Sequence, residues 1–367
     1  KIGPSAPILL DGKIGHGTLM LKVGVAGLRR GRGLLQTFHQ HRDAEVTAVC
    51  DPDLVRRAQV AADFGIATTC ADFDELVAMG LDIVVVATPA PQHAGQSIRA
   101  LEAGAHVMSE VPAAWSLDEC AALVAAVARS GRVYMMAENM NFFHYITEWK
   151  KCIQGGEIGH VFYAEAEYIH DCRHIMRAAG GQRAWRASMP PIHYCTHSLG
   201  PLLDILDDRC VSAVGMATGT HTAADIGSTD MEVGLFQTAR GRVLKVLCGF
   251  TVTREPAMHW QVFYGTEGTL ENRRSEGEPA KLFNAEGMQE IAAEISDPNA
   301  PPAALAGGHG TSEFYMVDGF LRAIRDGTAP PIDIYRSLDY SVPGLCAHLS
   351  AQQGAAPVAV PDYRAGS

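Results

Sequence analysis

The sequence predicts an α/β chain: an N-terminal doubly wound parallel sheet, then an α+β region on a large, open, mostly antiparallel sheet. Three observations predict it. From Leu21 onward, short continuous apolar runs alternate with helix-length segments, the pattern of strands buried on both faces. The first run ends in a glycine-rich turn, "GVAGLRRGRG". In the second half the apolar runs alternate in polarity, as in "VFYAEAEYIH", "MEVGLFQTA" and "RVLKVLCGF", which suits a sheet with one packed face.

Taken in order, "LKVGVAG" is the first strand, followed by a helix to about His41. "EVTAVCD" is the second, followed by a helix over Leu54–Phe64. "LDIVVVAT", a helix over Pro91–Ala103 and the strand "AHVMSE" continue the alternation. Ser116 and Glu119 form an S-x-x-E capping box that opens a helix to about Ser130, where Gly131 ends it, and "RVYMMAE" is the next strand. The expected division is a tail over 1–20, a first domain over 21–145 and a second over 146–367, the latter for substrate binding and self-assembly.

Composition narrows the partners. A chain of 367 residues, 47% hydrophobic, can bury two sizeable cores. A net charge of −11 without a basic run excludes a nucleic-acid partner. The longest apolar runs, such as Ile83–Ala87, are too short to cross a membrane, and the first residues lack a signal-peptide pattern, so a cytoplasmic location is expected. Nine cysteines without a C-x-x-C pair read as reduced thiols, and no metal site is expected.

The glycine turn carries the first chemistry. Gly27, Gly31 and Gly33 give the backbone freedom to approach a pyrophosphate at a helix N-terminus, with Arg29 and Arg30 beside it. Asp51 ends the second strand, where a carboxylate accepts from an adenosine ribose hydroxyl. That carboxylate repels a 2′-phosphate and favours NAD as the cofactor, with Arg29, Arg30 and Arg32 close enough to soften the preference. Further on, a helical reading brings His193, Tyr194 and His197 to one face, although Pro201 places the start of the regular helix in question. His193 and His197 lack a third ligand for zinc.

These pieces resemble the Gfo/Idh/MocA family of NAD(P)-dependent sugar oxidoreductases. The likeness rests on the glycine turn, "CDPD" at 50–53, "VVVATPAPQHAGQSIRALEAGAHVMSE" at 84–110, "YGTEGTLE" at 264–271 and "PPIDIYRSLDYSVPGL" at 330–345. It implies a Rossmann domain and a sugar or glycoside substrate. It assigns Thr88, Pro89, His93, Glu110, Pro112 and Asn139 to the cofactor, beside Gly27, Arg29, Arg30, Gly31 and Asp51. Where the family has Glu-Lys-Pro, this chain has Glu110-Val111-Pro112, and valine moves no proton. Many members carry D-x-x-x-H where this chain has His193 to His197, so only His197 matches directly.

A narrower resemblance is to the NAD-dependent α-N-acetylgalactosaminidases, through "EVPAA" at 110–114, "EN" at 138–139, "YIHD" at 168–171, "WR" at 185–186 and "YCTH" at 194–197. Their tyrosine shortly after "EN" is replaced by Phe142 or Phe143. Hydride transfer from a ring hydroxyl, with C3 expected, needs a base. His197 is the candidate, since imidazole as a class titrates near neutrality, and Tyr194 is the candidate to position the hydroxyl or relay the proton. Trp185 suits a pyranose face. Arg186 and Arg173, in a segment that also holds Arg177 and Arg183, suit a substrate anion, with His193 nearby. Three functions stay open: a dehydrogenase, a redox-neutral NAD-dependent glycosidase, and a non-catalytic NAD sensor. A homodimer or homotetramer is expected from the open sheet.

Overall fold

The computed structural model describes residues 20–364 apart from 179, 255, 257 and 276, so the expected tail lies outside the described residues except for Met20. The first half follows the strand–helix alternation: β1 (Leu21–Ala26), α1 (Gly31–Gln40), β2 (Ala44–Cys50), α2 (Leu54–Phe64), β3 (Thr68–Cys70), α3 (Phe73–Val77), β4 (Ile83–Val86), α4 (His93–Glu102), β5 (His106–Ser109), α5 (Leu117–Ser130) and β6 (Tyr134–Met136). Its strands pair in parallel in the order β3-β2-β1-β4-β5-β6. Chain order reverses between β1 and β4, which opens a crevice at the carboxyl ends of those strands, the usual ligand site of such sheets.

Local sequence explains the boundaries. The Asp53 side chain caps α2 by accepting from the Arg56 amide, and Gly65 ends that helix at φ 67°. Ser116 caps α5 by accepting from the Glu119 amide at 3.3 Å, while the Glu119 carboxylate takes the Trp115 amide at 2.7 Å. The capping box therefore closes one residue earlier than its usual form. The β3–α3 segment is absent from the sequence-based elements: Thr68 and Thr69 are exposed, so β3 has no apolar run to read.

The second half contains α6 (His144–Gln154), β7 (Val161–Ile169), α7 (Thr196–Leu206), β8 (Cys210–Ala217), β9 (Met231–Thr238), β10 (Val243–Gly249), β11 (Met258–Gly265), β12 (Thr269–Glu271), β13 (Ala280–Asn284), β14 (Gly287–Ile291), α8 (Ser312–Asp326), α9 (Ile334–Gln352) and β15 (Val358–Ala359). The described strands form one sheet ordered β14-β13-β12-β11-β7-β10-β9-β8-β15. It is antiparallel except between β7 and β10. α7 packs against β7, and α9 packs against both α7 and β8. One buried apolar cluster runs from Val23 and Val85 in the first sheet, through Trp149 and Leu203, to Phe263 and Cys346. Among the described residues no helix is long and apolar enough to cross a membrane.

α7 corrects the helical reading of the histidines. It begins at Thr196, with Pro201 inside it, while His193 and Tyr194 belong to a separate 3₁₀ turn over Pro191–Tyr194. The three side chains therefore do not share one helical face.

Candidate active site

A cleft of about 1100 Å³ lies over the carboxyl ends of β1, β2 and β4 and runs into the second domain. Gly27, Arg29, Arg30, Asp51, Thr88, Pro89, His93, Glu110, Val111, Trp185, Arg186 and Tyr194 line it, so residues far apart in sequence meet there. Gly27 has φ +84°, and a Cβ there would collide with the Ala87 carbonyl. The turn therefore needs glycine for both conformation and space.

At one end, the Asp51 carboxylate is nearly buried and held from three sides. It accepts from the Leu28 amide at 2.8 Å and the Asp53 amide at 2.9 Å, and Arg56 Nη1 lies 3.1 Å from Oδ1. Arg56 is thus an arginine that reaches Asp51, whereas Arg30, one of the three turn arginines expected to soften the preference, turns to Glu110 and Glu313. Arg32 instead pairs with Asp63 at 2.8 Å.

Arg30 turns toward the other end. Its Nε lies 3.0 Å from Glu110 and its Nη1 lies 2.8 Å from Glu313 in α8. Gly33, one turn into α1, leaves the room: a Cβ there would sit 3.1 Å from Arg30 Nη1 and 3.4 Å from Glu313. Burial pushes the Glu313 carboxyl up, but His309, the Arg30 charge and the Gly308 amide outweigh it and hold the group down at about 2. Burial opposes the Arg30 charge, and Glu110 and Glu313 more than restore it. Arg30 therefore joins two domains while it lines the cleft.

His93 bridges two loops. Its Nε2 lies 2.8 Å from the Thr88 carbonyl and its Nδ1 lies 2.9 Å from the Pro112 carbonyl, where the Val111–Pro112 bond is cis. Val111 is 4% exposed, a packed apolar wall beside Glu110. Pro112, Gly31 and Asn139 do not line the cleft; Asn139 is buried in the turn after β6.

The inner chamber holds Tyr194, Trp185 and Arg186. The Arg186 guanidinium stacks 4.5 Å from the Trp185 ring and 4.9 Å from Tyr194. Among the described residues it has no carboxylate partner, and its Nε is buried without a hydrogen bond. The other arginines of this segment are occupied: Arg173 by Asp171 and Thr253, Arg177 by Asp225, Arg183 by the Ala187 and Gly227 carbonyls. Arg173, expected to meet a substrate anion, does not line the cleft. His193 is also displaced: it is buried against Trp115 (5.4 Å) and His348 (5.1 Å), and burial pushes its pKa down to about 3.

His197 stands behind Tyr194, ring centroids 4.9 Å apart, with 11% of its side chain exposed. Its Nδ1 lies 2.6 Å from Oε1 of Glu138, which the sequence showed only as half of the "EN" pair and gave no role. Tyr168, the first residue of "YIHD", packs on His197, Tyr194 and His259. Phe143, where a tyrosine was looked for, packs on Tyr145 and supplies no hydroxyl. Among the described residues no cluster of His, Cys, Asp or Glu is arranged to hold a metal ion.

The parallel sheet, the glycine turn and the Asp51 carboxylate define an NAD-binding Rossmann domain, and comparison agrees. Residues 21–138 match the oxidoreductase family with NAD-binding Rossmann fold, the Gfo/Idh/MocA type. Residues 218–367 match the glycosyl hydrolase 109 C-terminal domain. The chain is thus an NAD-dependent enzyme built from a Gfo/Idh/MocA NAD-binding domain and a region that matches the glycosyl hydrolase 109 C-terminal domain. A glycosyl hydrolase family 109 protein of Solibacter usitatus is 27% identical, over 94% of this chain and 89% of its own. One of Porphyromonas gingivalis is 24% identical, over 95% and 85%. In fold the chain is similar to levoglucosan dehydrogenase in complex with NADH (TM-score 0.81, 19% identity, 94% of this chain and 100% of that one). It is also similar to myo-inositol 2-dehydrogenase of Lactobacillus plantarum (TM-score 0.74, 16% identity, 94% and 100%).

The residues present fit NAD: a glycine cradle that a Cβ would fill, a cleft long enough for a dinucleotide, and a fixed carboxylate at the adenosine end. Asp51→Ala is expected to weaken NAD roughly 10–100-fold, the loss of a bond to a charged group worth about 1.5–3 kcal/mol. NADP should weaken less, because the freed Arg56 suits a phosphate. Isothermal titration checks this; an equal loss for both nucleotides would remove Asp51 from the site.

Proposed function

We propose that this enzyme oxidises a ring hydroxyl, at C3, of a glycoside within a redox-neutral cleavage of the glycosidic bond. The observation that carries the reading is the single cleft that joins the glycine turn to the Trp185–Arg186–Tyr194 chamber. The glycosyl hydrolase 109 match over the second domain, and the relatives of that name, favour bond cleavage over net oxidation.

The nucleotide contacts fall to Gly27, Arg29, Asp51, Thr88, Pro89 and Glu110. The Trp185 ring takes a pyranose face, and Arg186, without an acidic partner, takes acceptor oxygens of the substrate. Held by the nucleotide contacts, NAD would supply a reversible hydride acceptor at C3 of the sugar. Burial pushes the Tyr194 phenol up, so it stays protonated and relays the hydroxyl proton to His197 behind it. Val111 takes no part in the proton work. The C3 ketone acidifies the C2 proton; its transfer to the departing oxygen expels the aglycone from C1 as an alcohol, and water then adds its hydroxyl at C1 and its proton at C2. Return of the hydride to C3 leaves sugar and aglycone, with water consumed.

The oxidoreductase match over 21–138 supports a second reading, net dehydrogenation with release of NADH. A panel of aryl glycosides and free sugars, assayed in parallel for aglycone release and for NADH absorbance, separates the two. Aglycone release without NADH is expected, and His197→Ala should lower it by on the order of 10²–10⁴ while NAD affinity is kept. NADH accumulation would select the dehydrogenase; neither product would leave a nucleotide-binding sensor; full activity in His197→Ala would remove that histidine from the mechanism.

The same reading includes a homodimer or homotetramer through the outer face of the larger sheet, where Leu235, Val243, Tyr264 and Phe283 are exposed. Light scattering that gives only a 39.3 kDa monomer at micromolar concentration would count against it.

A further inference from the structure

We infer that Glu138 is the positioning residue for His197, an inference that rests on His197 being the acid–base group proposed above. An ionised carboxylate only accepts, so the 2.6 Å contact puts the proton on His197 Nδ1 and leaves Nε2 as the ring acceptor. Glu138 itself touches no part of the cleft: it is fully buried in the turn that follows β6.

Three features set this pair apart from an incidental contact. Glu138 Oε1 also accepts from the Met140 amide at 3.2 Å, which fixes the carboxylate before the imidazole arrives. Oε2 is buried with no partner among the described residues. Such a group costs free energy that a neutral cap of the same turn would avoid. Helix α7 makes room for it: a Cβ at Gly200 would lie 3.0 Å from Glu138 Cγ and 2.8 Å from Asn141 Oδ1. The position that could have offered a nearer carboxylate, His193, is an imidazole turned toward Trp115 and His348. The acidic partner of His197 therefore comes from a different segment, 59 residues earlier.

The test uses the NAD-loaded protein with Glu138→Gln, and Glu138→Leu as a second variant that removes the acceptor. In both, kcat is expected to fall by up to roughly 10⁴-fold, the loss seen when the carboxylate behind a catalytic imidazole is removed. KM, NAD affinity and the unfolding midpoint should stay near wild type. Ring ¹⁵N spectra, with the His197 signal identified by its loss in His197→Ala, should show the Nδ1–H form in the wild type and a mixture in Glu138→Leu. The spectra decide even if the wild type neither releases aglycone nor forms NADH, which would overturn the functional reading alone. A wild-type ring protonated on Nε2, or unchanged kcat, would overturn the role of Glu138. So would parallel losses of kcat, NAD affinity and stability, which would make it structural.

Discussion

The ion pairs of Arg30 hold the parts of the site in register. One guanidinium on the glycine turn reaches Glu110 after β5 and Glu313 in α8, both carboxylates nearly or fully buried. Removing the guanidinium leaves buried negative charge uncompensated, at a cost that solvent moderates because the Arg30 side chain is 34% exposed. Here it would leave two carboxylates facing one another across the junction of the domains. The glycine turn, the Glu110-Val111-Pro112 segment and the first turn of α8 are therefore tied together by one side chain. His309 and the Gly308 amide complete the anchorage on the far side.

That constraint bears on Val111. Glu110 already has its cation from Arg30, and Val111 is packed into the core, so the wall of the cleft at this point is apolar and carries no second positive charge. In the proposed reaction, proton transfer falls to groups on the opposite wall. Those come from a 3₁₀ turn and the start of α7, which sit on β7 and are tied to the first domain through Glu138. The two domains thus each supply one wall, and the site exists only where they meet.

Much of the first wall was legible in the sequence because its signals are local. A strand, a glycine turn and a carboxylate at the end of the next strand follow within about 30 residues, and backbone geometry fixes their relation. What depends on long-range packing was not legible. Arg56 reaches Asp51 from inside α2, whereas the turn arginines drew attention because they adjoin Gly27 in sequence. Arg173 and Arg186 look alike in the chain, yet Asp171 and Thr253 occupy only the first. The histidine spacing suggested one helical face, but α7 starts at Thr196 and accommodates Pro201, so His193 falls on the other side of the turn. Glu138 was in view as half of an "EN" pair; its partner became visible only when β6 and α7 were packed together.

A crystal structure of the protein with NAD and a glycoside tests the central claim most directly. The account predicts the adenosine ribose against Asp51, the pyrophosphate over Gly27, and the nicotinamide between Glu110 and Tyr194. The sugar should lie on Trp185, its C3 facing the nicotinamide. A nicotinamide turned away from Tyr194 and His197, or a sugar bound outside the chamber of Trp185 and Arg186, would contradict it.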